Sequence, residues 1–371
     1  MKVPYFDVSR QHQKFVVQAQ EAFDRILKSG AYILGPALKD LEAEFAAYIG
    51  TKYALGVGSG TDALTFSLKA AGIKKGDEVI VPSFTFTSTA LAVIHAGAIP
   101  VFADVDGSSF NLDPNSVERA LSRKTSAIIP VHLFGQCADM TSLMAIAKKK
   151  KLKVVEDACQ AHGALWNKVM AGAFGDAGCF SFYPTKNLGG VGDGGMITTS
   201  DEKILKRSTQ YRNLGKGIED PFVHDEIGWT SRLDSIQAAF LSIKLKFLDE
   251  LNRERRAVAE LYHKKLAPTP LGLPREIAPA YHVYHLYVVR VPDGERDALK
   301  AHLLTQGIPT MVHYATPVHA QPVIKKYKTR KVKLPVTEKL REEVLTLPLF
   351  PGMTEPEVEA VATSIQQFFG R

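Results

Sequence analysis

Cysteine is scarce in this chain, and the little there is has no pattern. Cys137, Cys159 and Cys179 are odd in number and lack metal-type spacing, so neither a disulfide framework nor a zinc site is indicated. They read as reduced, mostly packed thiols of a cytoplasmic protein. No run reaches the ~18 apolar residues that a membrane span needs, and the opening MKVPYFDVSRQHQKF has no apolar core of a secretory signal. The G-x-x-x-x-G-K-[ST] phosphate loop is missing. The G-x-G-x-x-G dinucleotide fingerprint is broken, because Gly56 and Gly58 fit but Thr61 stands at the third position. No internal repeat or low-complexity segment is visible.

What remains is a chain of 371 residues, 45% hydrophobic and 23% charged, which allows a sizeable core. Length alone suggests about two or three domains. A net charge of +7 and a pI of about 9.1 favour an anionic substrate. Nucleic-acid binding would want a concentrated basic face, and two clusters are candidates. Residues 148–151 end a predicted helix and read as a solvated face at its negative dipole end. Lys325, Lys326, Lys328, Arg330, Lys331 and Lys333 sit in a Pro-flanked loop, either an ordinary basic loop or a phosphate contact.

Helical spacing marks 13–27 and 38–49, separated by the Gly30 and Gly35-Pro36 breakers. Short β-rich runs then alternate with helices. The spacing predicts strands at 53–57, 78–81, 100–104, 126–131, 153–156, 178–182 and 196–199, and helices at 61–71, 88–95, 114–120 and 139–150. That alternation predicts a mostly parallel sheet covered on both faces. No helix separates the last two strands, so at least one antiparallel neighbour is expected. A long amphipathic helix over 233–251 reads as a joint between domains, and Pro268, Pro270 and Pro274 mark the break after it. The remainder reads as a smaller α+β domain with a strand at 282–291, helices at 295–306 and 355–369, and a Pro/His-rich loop at 308–322.

Ligands of open α/β sheets bind outside the carboxyl ends of strands. Four segments fall just after predicted strands: 58–61, 83–86, 157–160 and 183–186. They are expected to meet at one sheet edge. Gly58-Ser59-Gly60-Thr61-Asp62 gives a glycine turn and a helix start capped by Thr or Asp, whose free amides could bind phosphate; an ordinary βα turn would look the same. Phe84 and Phe86 follow the next strand, Phe84 as core and Phe86 as a ring able to stack on a planar group. Asp157 ends the strand Val-Val-Glu, and Gln160 and His162 follow. Lys186 lies in a turn of Pro, Asn and Gly after an apolar run. Phosphate cradle, acid and loop lysine in that order are the parts that hold pyridoxal phosphate (PLP) as a Schiff base; the acid keeps the pyridine nitrogen protonated.

These residues resemble the PLP-dependent sugar aminotransferases of the DegT/DnrJ/EryC1/StrS type, of fold type I. The resemblance covers nearly the whole chain and includes GSGTDAL, PSFTFTSTA, VVEDACQAHGA, SFYPTKNLGGVGDGGMITT, SRLDSIQAAFLSIKL, VYHLYVV, GIPTMVHYATPVHAQP and LPVTEKLREEVLTLPLFPGMTEPEV. It implies a seven-stranded sheet in a large PLP-binding domain with an N-terminal arm (1–250), and a small domain (251–371). It implies that Lys186 bonds to the cofactor and shuttles protons, that Asp157 pairs with the ring nitrogen, and that Gln160 touches the phenolic oxygen. Phe86 would lie over the ring. Backbone amides of Gly60 and Thr61, with the Ser181 hydroxyl, would hold the phosphate. Members are homodimers with shared sites, so residues 228–232, with Thr230 and Arg232, would approach the neighbour's phosphate. Two positions depart from the pattern: Thr230 stands where Asn is usual, and Ala315 where many relatives have Pro.

The resemblance further implies ping-pong transfer of an amino group from L-glutamate to a nucleoside-diphosphate keto sugar, giving an amino sugar for glycan or antibiotic biosynthesis, lipopolysaccharide O-antigen included. Tyr183 and His313 are candidate sugar or diphosphate contacts, with packing as the alternative. The glycine pattern over 187–195 looks closer to relatives that aminate the third sugar carbon than the fourth. Rival readings are a PLP-holding regulator without turnover, a cysteine desulfurase, and a Rossmann oxidoreductase. A dehydratase of this family would carry His in place of Lys186. No metal is expected, and neither nucleic acid nor membrane is an expected partner.

Overall fold

A computed structural model describes residues 2–220, 222–327, 329–330 and 332–370. Lys328 and Lys331 of the basic loop lie outside the described residues. Seven strands form the central sheet: β1 (Tyr53–Val57), β2 (Glu78–Pro82), β3 (Ile99–Ala103), β4 (Thr125–Ile128), β5 (Lys153–Asp157), β8 (Ala177–Ser181) and β9 (Gly195–Thr199), in the order β1-β9-β8-β5-β4-β2-β3. Only β9 runs against the others, as expected from the missing helix before it. Between β5 and β8 a hairpin, β6 (Leu165–Trp166) and β7 (Val169–Met170), pairs with β10 (Ala280–Tyr281).

The strands are apolar on both faces because both faces are covered. In β2, Ile80 packs into one layer beside the helices Pro36–Ile49 and Ser235–Leu245. Its neighbours Val79 and Val81 pack into the opposite layer with the helices Gly60–Ala70 and Ser88–His95. A third core joins Val258 and Tyr262 of the helix Leu248–Leu266 to β11 (Tyr287–Arg290), β12 (Val344–Leu347) and the terminal helix Glu355–Phe369. That last helix opens with a reciprocal Thr354–Glu357 cap. Arg10 from the N-terminal arm grips Glu357 through both oxygens, at 2.7 and 2.8 Å, and pushes its carboxyl down to about 2.

Three sequence expectations are corrected here. The helix expected over 233–251 is two, Ser235–Leu245 and Leu248–Leu266, with Leu233 buried ahead of the Asp234 cap. The strand expected over 282–291 shrinks to Tyr287–Arg290, because His282, Tyr284 and His285 are spent on side-chain packing and polar contacts. The capping residue of the Gly60 helix is Ser59, whose Oγ accepts from Asp62 N at 3.1 Å; neither Thr61 nor Asp62 takes that place. Unforeseen elements are β12 and the helix Pro335–Glu343. Asp104, just past β3, fixes this helix by accepting from the backbone of Val336 and Thr337 and from the Thr337 hydroxyl, at 2.7–2.9 Å.

Candidate active site

Lys186 sits in the turn after β8, where its backbone N–H donates to the Tyr183 carbonyl at 2.8 Å. The chain then doubles back so closely that a Cβ on Gly189 would stand 2.2 Å from the Pro184 carbonyl oxygen, so only glycine fits. Asn187 anchors the turn. Its Nδ2 donates to Asn252 Oδ1 (2.8 Å) and to the Val283 carbonyl (3.1 Å), which leaves Oδ1 as an acceptor for His285 Nδ1 at 3.1 Å. His285 therefore carries its proton on Nδ1. Lys244 Nζ donates to the Gly189 carbonyl at 3.0 Å, and Gln237 Oε1 accepts from Val191 N at 2.9 Å. A rigid turn thus delivers a flexible amine.

Burial pushes the Lys186 amine below the ordinary lysine range, while Cys159 and Asp157 act in the opposite sense. Three histidines respond to it. Burial, then the Lys186 charge, holds His162 down at about 3 and His313 at about 4, and drives His285 well below its usual value. All three are neutral at physiological pH, so they surround the lysine without adding positive charge.

Asp157 ends β5, beside β8 in the sheet. Its backbone is tied to Pro130 O at 2.8 Å, and its carboxylate accepts from Thr89 Oγ1 at 2.7 Å and from Cys159 N at 3.3 Å. Thr89 lies in the first turn of the Ser88–His95 helix, so two elements aim one acid. Glu156, one residue earlier, belongs to the opposite face, as strand alternation requires. There it accepts from the amides of Gly172, Phe174 and Gly175 at 2.7–2.8 Å and faces His132 Nε2 at 2.9 Å. Since Ala138 N donates to His132 Nδ1, the imidazole proton is on Nε2 and points at Glu156. Of the two neighbouring acids, one is spent on structure and one is left for the site.

Gln160 Oε1 accepts from Phe134 N at 2.9 Å, and its Nε2 donates to Tyr314 Oη at 3.1 Å. Phe84 is wholly buried, whereas Phe86 is 58% exposed and tilts against the Tyr314 ring at 6.2 Å. On the opposite side the Gly60 helix begins against β8. A Cβ on Gly60 would come 2.9 Å from Ser181 Cβ and 2.8 Å from Cys159 Sγ. Asp62 N is taken by Ser59 and Ala63 N by the Ser59 carbonyl. The amides of Gly60 and Thr61 have no acceptor among the described residues. Two free amides at the positive end of an 11-residue helix, beside Ser181, are groups that can take an anion.

Lys186, Asp157, Gln160, Phe86, Gly60, Thr61 and Ser181 thus meet at one sheet edge. Tyr183 is 53% exposed at the rim. His313 stands beside the lysine, with Nδ1 2.8 Å from Thr346 Oγ1. Thr230 is exposed, and Arg232 Nη1 donates to Asn213 Oδ1 at 3.1 Å. Between them Ser231 Oγ donates to Asp62 Oδ2 (2.8 Å) and accepts from Gly58 N (2.9 Å), which brings this segment against the helix start of its own chain. Sequence reasoning missed Thr89, Asn187, His285 and Tyr314, and it gave the segment holding Ser231 no contact with its own chain. Asn187 adjoins the lysine and Thr89 lies in the motif holding Phe86, so both were within reach. Nothing local marks Tyr314 as a neighbour of Gln160.

The arrangement suits PLP. A planar ring would fit beside the exposed Phe86, the Asp157 carboxylate suits a protonated ring nitrogen, the amine of lowered pKa suits an aldehyde, and the glycine turn suits a phosphate. Six parallel strands, one reversed strand and a lysine on the turn after β8 define a fold type I PLP-dependent enzyme. The chain belongs to the DegT/DnrJ/EryC1/StrS aminotransferase family, whose sequence model matches residues 14–366. It is 44% identical over 372 residues to a pleiotropic regulatory protein of Geobacillus stearothermophilus, covering 100% of this chain and 99% of that one. It is 43% identical over 368 residues to the dTDP-3-amino-3,6-dideoxy-alpha-D-galactopyranose transaminase of Aneurinibacillus thermoaerophilus, covering 99% of each. The crystal structure of S. venezuelae DesV in complex with a ketimine intermediate matches with a TM-score of 0.95 at 41% identity, over 100% of this chain and 99% of that one. The protein is a PLP-dependent aminotransferase.

Proposed function

We propose that this enzyme transfers an amino group from L-glutamate to a keto carbon, the third rather than the fourth, of a nucleoside-diphosphate-linked keto-deoxy sugar. The observation that carries the reading is Lys186 on its rigid turn opposite Asp157, in a chain whose near-full-length relative acts on a 3-amino sugar. An amine of depressed pKa that three neutral histidines surround can accept and return a proton at Nζ without carrying permanent charge. When bound, PLP supplies an aldehyde for amino groups and a ring that takes up the electron pair released at the carbon losing its proton. Asp157, held by Thr89, would keep the proton on the ring nitrogen. Gln160 would address the phenolic oxygen, Phe86 would cover the ring, and Gly60, Thr61 and Ser181 would hold the phosphate. Tyr183 and His313 line the path that the sugar diphosphate takes. The amino sugar formed is a building block for glycans or antibiotics.

The reading includes a homodimer. Phe23, Leu27, Tyr32 and Ile33 leave apolar surface uncovered, and Phe222 and Ile227 are 92% and 84% exposed on the loop before Thr230. A second copy would cover them and would receive Thr230 and Arg232 near its phosphate site. A large cofactor-binding part and a smaller C-terminal part, expected to divide at 250/251, would join within the helix Leu248–Leu266. Three unpaired thiols suit a reducing cytoplasm, and no helix among the described residues is long and apolar enough to cross a membrane.

The test incubates PLP-loaded enzyme and L-glutamate with thymidine- and uridine-diphosphate 3-keto and 4-keto sugars, following 2-oxoglutarate release and the amino sugar by mass. Turnover is expected with a 3-keto sugar. Turnover with 4-keto sugars alone would overturn the third-carbon assignment, and none with any sugar diphosphate would overturn the substrate class.

A further inference from the structure

Gln160 is fastened by two groups from different parts of the molecule. Phe134 N, in the loop after β4, donates to Oε1, so the Oε1 end of the amide is fixed as acceptor. One such bond leaves the amide plane free to pivot. The second, from Nε2 to Tyr314 Oη, removes that freedom and spends one of the two Nε2 hydrogens. The remaining N–H is the only one Gln160 can offer a ligand.

Tyr314 is itself held from the C-terminal part. The strip before it pairs with β12, where Met311 N donates to Thr346 O at 3.2 Å and Thr346 N donates to Met311 O at 2.7 Å. His313 adds its 2.8 Å contact to Thr346 Oγ1. After it, Val318 N donates to Ser83 O at 2.9 Å, and Ser83 Oγ meets His319 Nδ1 at 2.5 Å. The Tyr314 ring stacks near Phe134 at 6.5 Å and contacts Phe84 at 6.3 Å and Phe86 at 6.2 Å. Burial pushes its phenol up, so the hydroxyl stays protonated and acts as a neutral acceptor for Gln160.

We infer that Tyr314 is a positioning residue: it sets the plane of the Gln160 amide so that the one remaining Nε2–H meets the phenolic oxygen of PLP. The inference rests on the reading that Gln160 addresses that oxygen. A donor placed there shares the oxygen's negative charge and weakens its hold on the adjacent Schiff-base proton. A misplaced donor therefore raises the pH at which that proton leaves.

The experiment is a pH titration of the visible absorbance of PLP-loaded wild type, Tyr314→Phe, Gln160→Met and the double variant, with thermal unfolding measured alongside. Tyr314→Phe keeps the ring packing and removes only the hydroxyl. Its transition is expected to move up by roughly 0.5–1 pH unit, the worth of about one hydrogen bond. Gln160→Met should move at least as far, and the double variant no further than Gln160→Met alone. A Tyr314→Phe titration matching wild type while Gln160→Met shifts would overturn the role of Tyr314 and leave the Gln160 reading standing. Full additivity in the double variant would show that Tyr314 does not act through Gln160. Wild-type titration in Gln160→Met would overturn the Gln160 reading and this inference with it. A loss of thermal stability in Tyr314→Phe without a spectral shift would assign Tyr314 to packing.

Discussion

An amine can relay protons only if it is neutral for part of the cycle, and burial moves Lys186 toward that form. Lys186→Ala is expected to keep the far-ultraviolet circular dichroism of the wild type and to lose at least about 10³-fold in kcat, the upper range for a positioned acid–base group. A variant that loses less than tenfold would remove the lysine from the reaction. Lys244 gives a prediction about stability. Burial, helped by the Arg255 charge, pushes its pKa down to about 7. Between about pH 7 and the unfolded value of 10.5 the unfolded chain then binds a proton that the folded chain does not, so stability rises with pH across that window. The limiting slope is about 1.4 kcal/mol per pH unit. Denaturant titrations at a series of pH values check it, and Lys244→Met should flatten the rise.

A strand puts successive side chains on opposite faces, and β5 uses this to give two adjacent acids different tasks. Glu156 receives three backbone amides and the His132 proton, fully buried. Glu156→Ala would leave those donors unpaired and should cost about 3–5 kcal/mol by denaturant unfolding, comparable to breaking a buried charged network. Asp157 shares the strand but not the network. Asp157→Asn should unfold within about 1 kcal/mol of wild type, because Cys159 N can still donate to the amide oxygen and the Thr89 hydroxyl can turn to accept from the new NH2. Its turnover should fall about 10²-fold or more, as for loss of one preorganised electrostatic group. A large stability loss in Asp157→Asn with turnover unchanged would reverse these assignments.

At the scale of the whole molecule, the proposed homodimer puts the exposed apolar loop and arm against a second copy. Replacing Phe222 and Ile227 together by Ser should weaken association by about 10²-fold or more, from the apolar area no longer buried. Sedimentation velocity at several concentrations would show it; an unchanged dimer would move the interface elsewhere. The sequence alone determined the sheet, since period, β-branched runs and turn residues act within a few neighbours: six of the seven central strands and the terminal helix Glu355–Phe369 stand within a residue of where those signals put them, and the strand expected over 126–131 ends at Ile128. It also determined the class of site, because the strand-end rule places Gly60, Asp157 and Lys186 on one edge whatever the loops do. It misjudged 282–291, where side-chain partners of His282 and His285 ended the strand, and 233–251, where one helix starts after Asp234 and a second starts at Leu248. Only the tertiary structure decided that Glu156 is taken up by three backbone amides and His132, that Asn187 and His285 anchor the lysine turn, and that Tyr314 meets Gln160 across 154 residues. Contacts over such separations depend on how packed layers come together, which no local pattern encodes.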